Sequence, residues 1–159
     1  MRKMRFPQRT TLRTTLLSSL QDTTDATHAP ARPLVLVAED HEDTRLLYRT
    51  VLELRGYGVI EAADGEETVC TAESVRPDLI LMDGSLPRLN GVDAARQIRR
   101  SGHIGHVPIV FISGHAGAAF ITLAREAGCD EYFVKPFDLS QLEDVLEKYC
   151  VQKRLAVAI

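Results

Sequence analysis

Five polar residues from four separate places in the chain share one feature: they stand at the close of short apolar runs. Glu39 and Asp40 follow Leu34–Ala38, Asp83 follows Leu79–Met82, Ser113 follows Ile109–Ile112, and Lys135 follows Tyr132–Val134. Three carboxylates gathered at one place would repel one another and raise a pKa unless a cation neutralised them. An all-oxygen donor set with room for water suits Mg²⁺, which is usually held by one or two carboxylates plus phosphate oxygens. A lysine beside such a cluster serves as counter-charge or phosphate ligand, and a serine hydroxyl can donate to a phosphoryl oxygen. Taken singly, each residue also has an ordinary reading. Acids at strand ends cap helices or face water, a terminal lysine is solvated, and Ser113-Gly114 suits a turn. What matters is whether the fold brings them together.

The elements that would do so are legible in the apolar pattern. Runs of four or five residues rich in Val, Ile and Leu suggest strands buried on both faces, as in a parallel sheet covered by helices. A further strand, weaker in pattern, fits Gly58–Ala62. Between the runs lie segments with helical spacing: Leu47, Val51 and Leu54; Val92, Ala95 and Ile98; Phe120, Leu123 and Ala127; Leu139, Leu142, Leu146 and Tyr149. Asp138 is placed to cap the last of these, and Gly128 to end the one before it. Strand and helix alternate five times, which predicts right-handed crossovers and a doubly wound α/β sheet. Ligands of such sheets bind at the carboxyl ends of the strands, near the switch in strand order, where the five polar residues stand.

The bulk composition is that of an ordinary folded domain, with 45% hydrophobic and 26% charged residues. The net charge of −3 conceals an asymmetry: residues 1–32 carry six Lys/Arg and two Asp, and the remainder thirteen Lys/Arg against twenty Asp/Glu. An acidic body speaks against direct nucleic-acid binding, which needs a basic face. The longest apolar runs fall far short of the roughly 20 residues that cross a bilayer. Cys70, Cys129 and Cys150 show no metal spacing, and their odd number fits a reducing, cytoplasmic setting better than a disulfide framework. Residues 1–32 are rich in Thr, Ser and Arg and are expected to form a basic, disordered arm. A targeting segment or a short docking helix lined by Leu12, Leu16, Leu17 and Leu20 are the alternatives. The expected organisation is this arm, a domain over 33–152 and a short tail over 153–159.

The body resembles the receiver domain of two-component response regulators over about residues 33–150. Four stretches carry the resemblance: LVLVAED (34–40), DLILMDGSLPRLNG (78–91), PIVFISG (108–114) and DEYFVKPF (130–137). It implies a flavodoxin-like, five-stranded parallel sheet of order 2-1-3-4-5 with five helices. By the same resemblance, Asp83 is the phosphoacceptor and Asp40 a direct Mg²⁺ ligand. Glu39 would be a ligand mostly through water, and the Ser85 backbone carbonyl would complete the metal site. Lys135 would pair with the phosphoryl group, Ser113 would be the switch hydroxyl, and Tyr132 the aromatic switch position, its alternative being an ordinary core aromatic. The Lys135–Pro136 bond is typically cis in this family. Departures are mild: Leu86 stands where Met is common, and Ser113 where Thr is commoner. Ser85 and His115 occupy positions that tune the lifetime of the aspartyl phosphate, although His115 reads more simply as facing solvent.

The function so implied is a phosphorelay receiver. Asp83 takes a phosphoryl group from a phosphohistidine on a histidine kinase or histidine phosphotransfer protein, and the added charge switches a surface read by an unknown downstream protein. The chain would be a signalling switch, catalysing only its own phosphorylation and slow dephosphorylation. One rival is a haloacid-dehalogenase-type phosphatase, whose chemistry needs an acid two residues after the nucleophile; Ser85 stands there. Another is a pseudo-receiver that binds partners without phosphorylation, which predicts missing site residues. The segment VQKRLAVAI after the last helix is too short for a DNA-binding output domain, so output is expected through protein contact or as part of a larger assembly.

Overall fold

The computed structural model describes residues 32–151, so the expected arm up to residue 31 and the whole of the expected tail lie outside the described residues. The elements alternate in the order β1 (Leu34–Ala38), α1 (Glu42–Leu54), β2 (Gly58–Ala62), α2 (Gly65–Val75), β3 (Leu79–Met82) and α3 (Gly91–Arg100). There follow β4 (Ile109–Ser113), α4 (Ala118–Glu126), β5 (Glu131–Val134) and α5 (Leu139–Leu146). The five strands form one sheet in the order β2-β1-β3-β4-β5, and every pairing is parallel. The expected α/β fold and strand order are both present.

Alternation along the strands divides the core into two layers. Leu36, Ile80, Met82, Ile109 and Phe111 face one way, onto α2, α3 and α4 residues such as Ala72, Ala95, Ile98 and Ala124. Val35, Val37, Leu79, Leu81, Val110 and Ile112 face the other way, onto Tyr48 and Leu52 of α1 and Leu142, Val145 and Leu146 of α5. The three central strands are buried along nearly their whole length, which is why they read as unbroken apolar runs.

Helix starts follow capping chemistry. Asp64 accepts from the Glu67 amide, Asn90 from the Asp93 amide, and Asp138 forms a capping box with Gln141. Gly128, at φ +99°, ends the segment after α4 in the left-handed region that favours glycine. Two elements differ from the sequence expectation. No helical spacing marked α2, because its inward positions are Thr68 and Ala72 and its apolar stripe is faint. The last helix, expected to run regularly to Tyr149, leaves α geometry after Leu146 and continues as a π-helical turn over Glu147–Val151 that buries Cys150.

Candidate phosphoacceptor and metal site

All strands run the same way, so their carboxyl ends share one edge of the sheet. Pairing of Ala38 with Met82 sets the residues following β1 and β3 side by side, and the Asp83 amide donates to the Ala38 carbonyl at 2.9 Å. On the other flank, Ser113 pairs with Val134, and the Lys135 amide donates to the Ser113 carbonyl at 2.9 Å. Backbone register alone therefore converges Glu39, Asp40, Asp83, Ser113 and Lys135 from four strands. β2, whose run ends without such a residue, lies at the sheet edge away from Lys135.

Carboxylate oxygens of Glu39, Asp40 and Asp83 all lie within 4.8 Å of one another. Glu39 is 1% exposed and Asp83 8%, whereas Asp40 faces solvent. Lys135 Nζ donates to Glu39 Oε2 at 2.8 Å and to Asp83 Oδ2 at 2.7 Å, an ion-paired hydrogen-bond bridge between the two buried acids. The Ser85 amide donates to Asp83 Oδ1 at 2.8 Å. Arg45 of α1 donates to the Glu39 carbonyl at 2.7 Å, holding the end of β1 in place.

These contacts set the protonation balance. Burial pushes the Glu39 carboxyl above its ordinary value and Asp83 pushes the same way, against the hydrogen bond and charge of Lys135. Burial alone would lower the Lys135 ammonium. The hydrogen bonds and charges of Asp83 and Glu39 outweigh it, and the pKa ends above the usual lysine range. One ammonium thus serves two buried carboxylates, with Asp40 still facing solvent beside them.

The donor set fits a divalent cation. On an octahedral Mg²⁺, ligand oxygens lie about 3 Å apart when adjacent and about 4.2 Å when opposite, so three oxygens within 4.8 Å need only small side-chain adjustments. All are hard oxygens, the class Mg²⁺ selects. Ser85 follows Asp83 by two residues, and its own side chain is exposed at the mouth of the site.

Ser113, expected either as a turn residue or a switch hydroxyl, is the last residue of β4 and fully buried. Its Oγ accepts from the His115 amide at 3.2 Å. A Cβ added at Gly84 would lie 2.8 Å from that Oγ and 2.9 Å from the Phe120 ring, so only glycine lets the strand end pass this close to Ser113. Tyr132 is half-buried. Its ring stacks on Phe111 at 6.0 Å and meets the edge of Phe120 at 6.3 Å, while its hydroxyl donates to the His115 carbonyl at 2.7 Å.

His115 shows what the sequence reading missed. It is exposed, as expected, yet not idle: its Nε2 lies 2.9 Å from Ser85 Oγ and its ring stacks on Phe120 at 4.5 Å. One residue thereby ties the loop after β3, the end of β4, α4 and Tyr132. The resemblance had already singled out Ser85 and His115 together, but not the contact between them. The Lys135–Pro136 bond is cis, as the resemblance implied.

Comparison with known proteins agrees with this geometry. The family profile of the response regulator receiver domain matches residues 35–147. The chain belongs to the response regulator receiver domain family. Among relatives of this receiver domain, the transcriptional regulatory protein PdtaR of Mycobacterium tuberculosis is 41% identical over 126 residues, 79% of this chain and 60% of PdtaR. The present chain thus spans only about three fifths of that relative's length. The polar-differentiation response regulator DivK of Brucella anthropi is 30% identical over 115 residues, 72% of this chain and 94% of DivK. Among solved structures, the receiver domain of the sensor histidine kinase PA1611 of Pseudomonas aeruginosa superposes with a TM-score of 0.70 at 34% identity, covering 75% of this chain and 98% of its own. That structure has a magnesium ion coordinated in its active-site cleft.

Proposed function

We propose that Asp83 of this receiver domain accepts a phosphoryl group from a phosphohistidine, borne by a histidine kinase or a histidine phosphotransfer protein, and that the modified domain presents a changed surface to a downstream protein in the cytoplasm. The observation that carries the reading is the buried Asp83 carboxylate, with Lys135 at 2.7 Å on one oxygen and the Ser85 amide at 2.8 Å on the other. A carboxylate pinned at both oxygens is oriented for in-line attack and does not need to be ordered during the reaction.

Asp40, Asp83 and the Ser85 carbonyl would hold Mg²⁺ directly, with Glu39 mostly through water. When bound, the cation supplies charge neutralisation for the transferring oxygens. The protein residues do the rest. An Asp83 oxygen forms a bond to phosphorus as the phosphorus–nitrogen bond breaks, and the electron pair leaves with the imidazole. Little covalent work falls to other side chains, since phosphoryl transfer is dominated by positioning and electrostatic stabilisation. Lys135 shifts its ammonium from the carboxylate to a phosphoryl oxygen, and the Ser113 hydroxyl, turning from the His115 amide, donates to another. The added group brings a charge of about −1.5 to −2. Movement of Ser113 loosens the His115 amide, and with it the carbonyl that anchors the Tyr132 hydroxyl.

Labelling with acetyl phosphate in Mg²⁺ tests the assignment. Wild-type chain is expected to gain one phosphoryl group, and Asp83→Asn none, because an amide is a far weaker nucleophile. Undiminished labelling of the variant would overturn it. Multiple-turnover hydrolysis of p-nitrophenyl phosphate is expected to be negligible, since Ser85 cannot act as the acid that a phosphatase of the rival class requires.

A further inference from the structure

The loop that carries the Ser85 carbonyl runs from Gly84 to Asn90, between β3 and α3, and its geometry is held from an unexpected direction. The Leu89 amide donates back to the Pro87 carbonyl at 2.7 Å, making a tight turn with Arg88 at its centre. Arg88 sits at φ +61°, in the left-handed region that side chains with a Cβ rarely adopt. The backbone there asks for glycine, so what arginine adds is its guanidinium. That group reaches across to the start of α2, with one nitrogen 2.9 Å from Asp64 Oδ2 and the other 3.8 Å from Glu66.

We propose that Arg88 is a positioning residue for the metal site, acting through Asp64 as a strut that fixes the loop presenting Ser85. The inference rests on the Mg²⁺ reading of the site. Surface ion pairs usually contribute little, and Arg88 is 66% exposed, but the Asp64 side chain is only 5% exposed. Its other oxygen accepts the Glu67 amide at 2.8 Å, so the carboxylate cannot swing away to water without uncapping α2. The two segments are also pressed together by backbone. The Gly65 amide donates to the Pro87 carbonyl at 3.3 Å, and a Cβ on Gly65 would lie 1.8 Å from the Leu89 carbonyl oxygen. The loop therefore rests directly on the end of α2, and the ion pair locks that seat. Ser85 stands three residues before Arg88 in the same loop, with buried Leu86 between them. An octahedral Mg²⁺ site tolerates little displacement of a ligand, so slack at Arg88 is felt as weaker metal binding.

The test is a Mg²⁺ titration of the full chain, followed by the ¹H–¹⁵N signals of the Asp83, Gly84 and Ser85 amides. Arg88→Gly suits the backbone and removes the strut from one side; Asp64→Asn keeps a capping oxygen and removes it from the other. Each is expected to weaken Mg²⁺ binding by about tenfold, the lower end for groups that orient metal ligands. The double variant should be no weaker than either single, since both remove one interaction. Variants that bind Mg²⁺ within about twofold of wild type, with or without a lower melting temperature, or single effects that add fully in the double, would overturn the strut while leaving the metal reading intact. A wild-type chain whose amides do not respond to Mg²⁺ would overturn both. Should Arg88→Gly fold poorly, Asp64→Asn and Arg88→Lys, which keeps the charge but not the reach of the guanidinium, decide the matter by the same titration.

Discussion

Lys135 Nζ lies 2.7 Å from Asp83 Oδ2 while also donating to Glu39 at 2.8 Å, so a single ammonium holds the Asp83 carboxylate and balances a second buried acid. Removing it leaves two buried carboxylates with no other ion-pair partner among the described residues. Lys135→Met is expected to lower the melting temperature of the metal-free chain by several degrees, because uncompensated buried charge is costly. Mg²⁺ should restore more of the lost stability in the variant than it adds to wild type. Thermal unfolding with chelator and with Mg²⁺ measures both.

Ser113 offers a fully buried hydroxyl that accepts from the His115 amide and also meets the Tyr132 hydroxyl. A hydrogen bond to a charged group contributes about 1.5–3 kcal/mol, so Ser113→Ala should slow phosphorylation of Asp83 by about tenfold or more. Ser113→Thr keeps the hydroxyl and should stay close to wild type. Single-turnover labelling with acetyl phosphate separates the two.

Glu39 gives a pH dependence. Burial holds its folded-state pKa above the unfolded value, so between the two values the folded chain binds more protons than the unfolded one. This group's contribution to stability is full below the unfolded pKa and is lost as pH rises through the folded one. Metal-free Glu39→Gln should lack that loss. Its melting temperature relative to wild type should rise from about pH 4 to pH 7 in the presence of chelator. A constant difference across that range would contradict the assignment.

Asp138 caps α5 through the Ser140 amide, while Gln141 reaches back to the Asp138 amide at 3.1 Å. Asp138→Ala should cost about 1 kcal/mol of stability and leave Mg²⁺ binding unchanged, since the cap lies on the far side of Pro136 from Lys135. Denaturant unfolding and the amide titration check the two halves of this statement.

The sequence alone determined the three central strands nearly to the residue, because strands buried on both faces must be apolar without interruption, and marked the two edge strands more faintly. It also placed polar residues at the close of four of those runs, each with an ordinary reading taken singly, so that only their combination pointed to a shared site. It left α2 unmarked, since a helix that buries threonine and alanine has almost no apolar period to read. Only the tertiary structure decided which oxygen meets which proton. His115 read as facing solvent until the fold set Ser85, Phe120 and Tyr132 around it, and nothing in the spacing pointed to the ion pair of Arg88 with Asp64. Where a strand begins and ends is a local pattern written along the chain, whereas contacts between loops depend on how separate elements pack, and no spacing in the sequence encodes them.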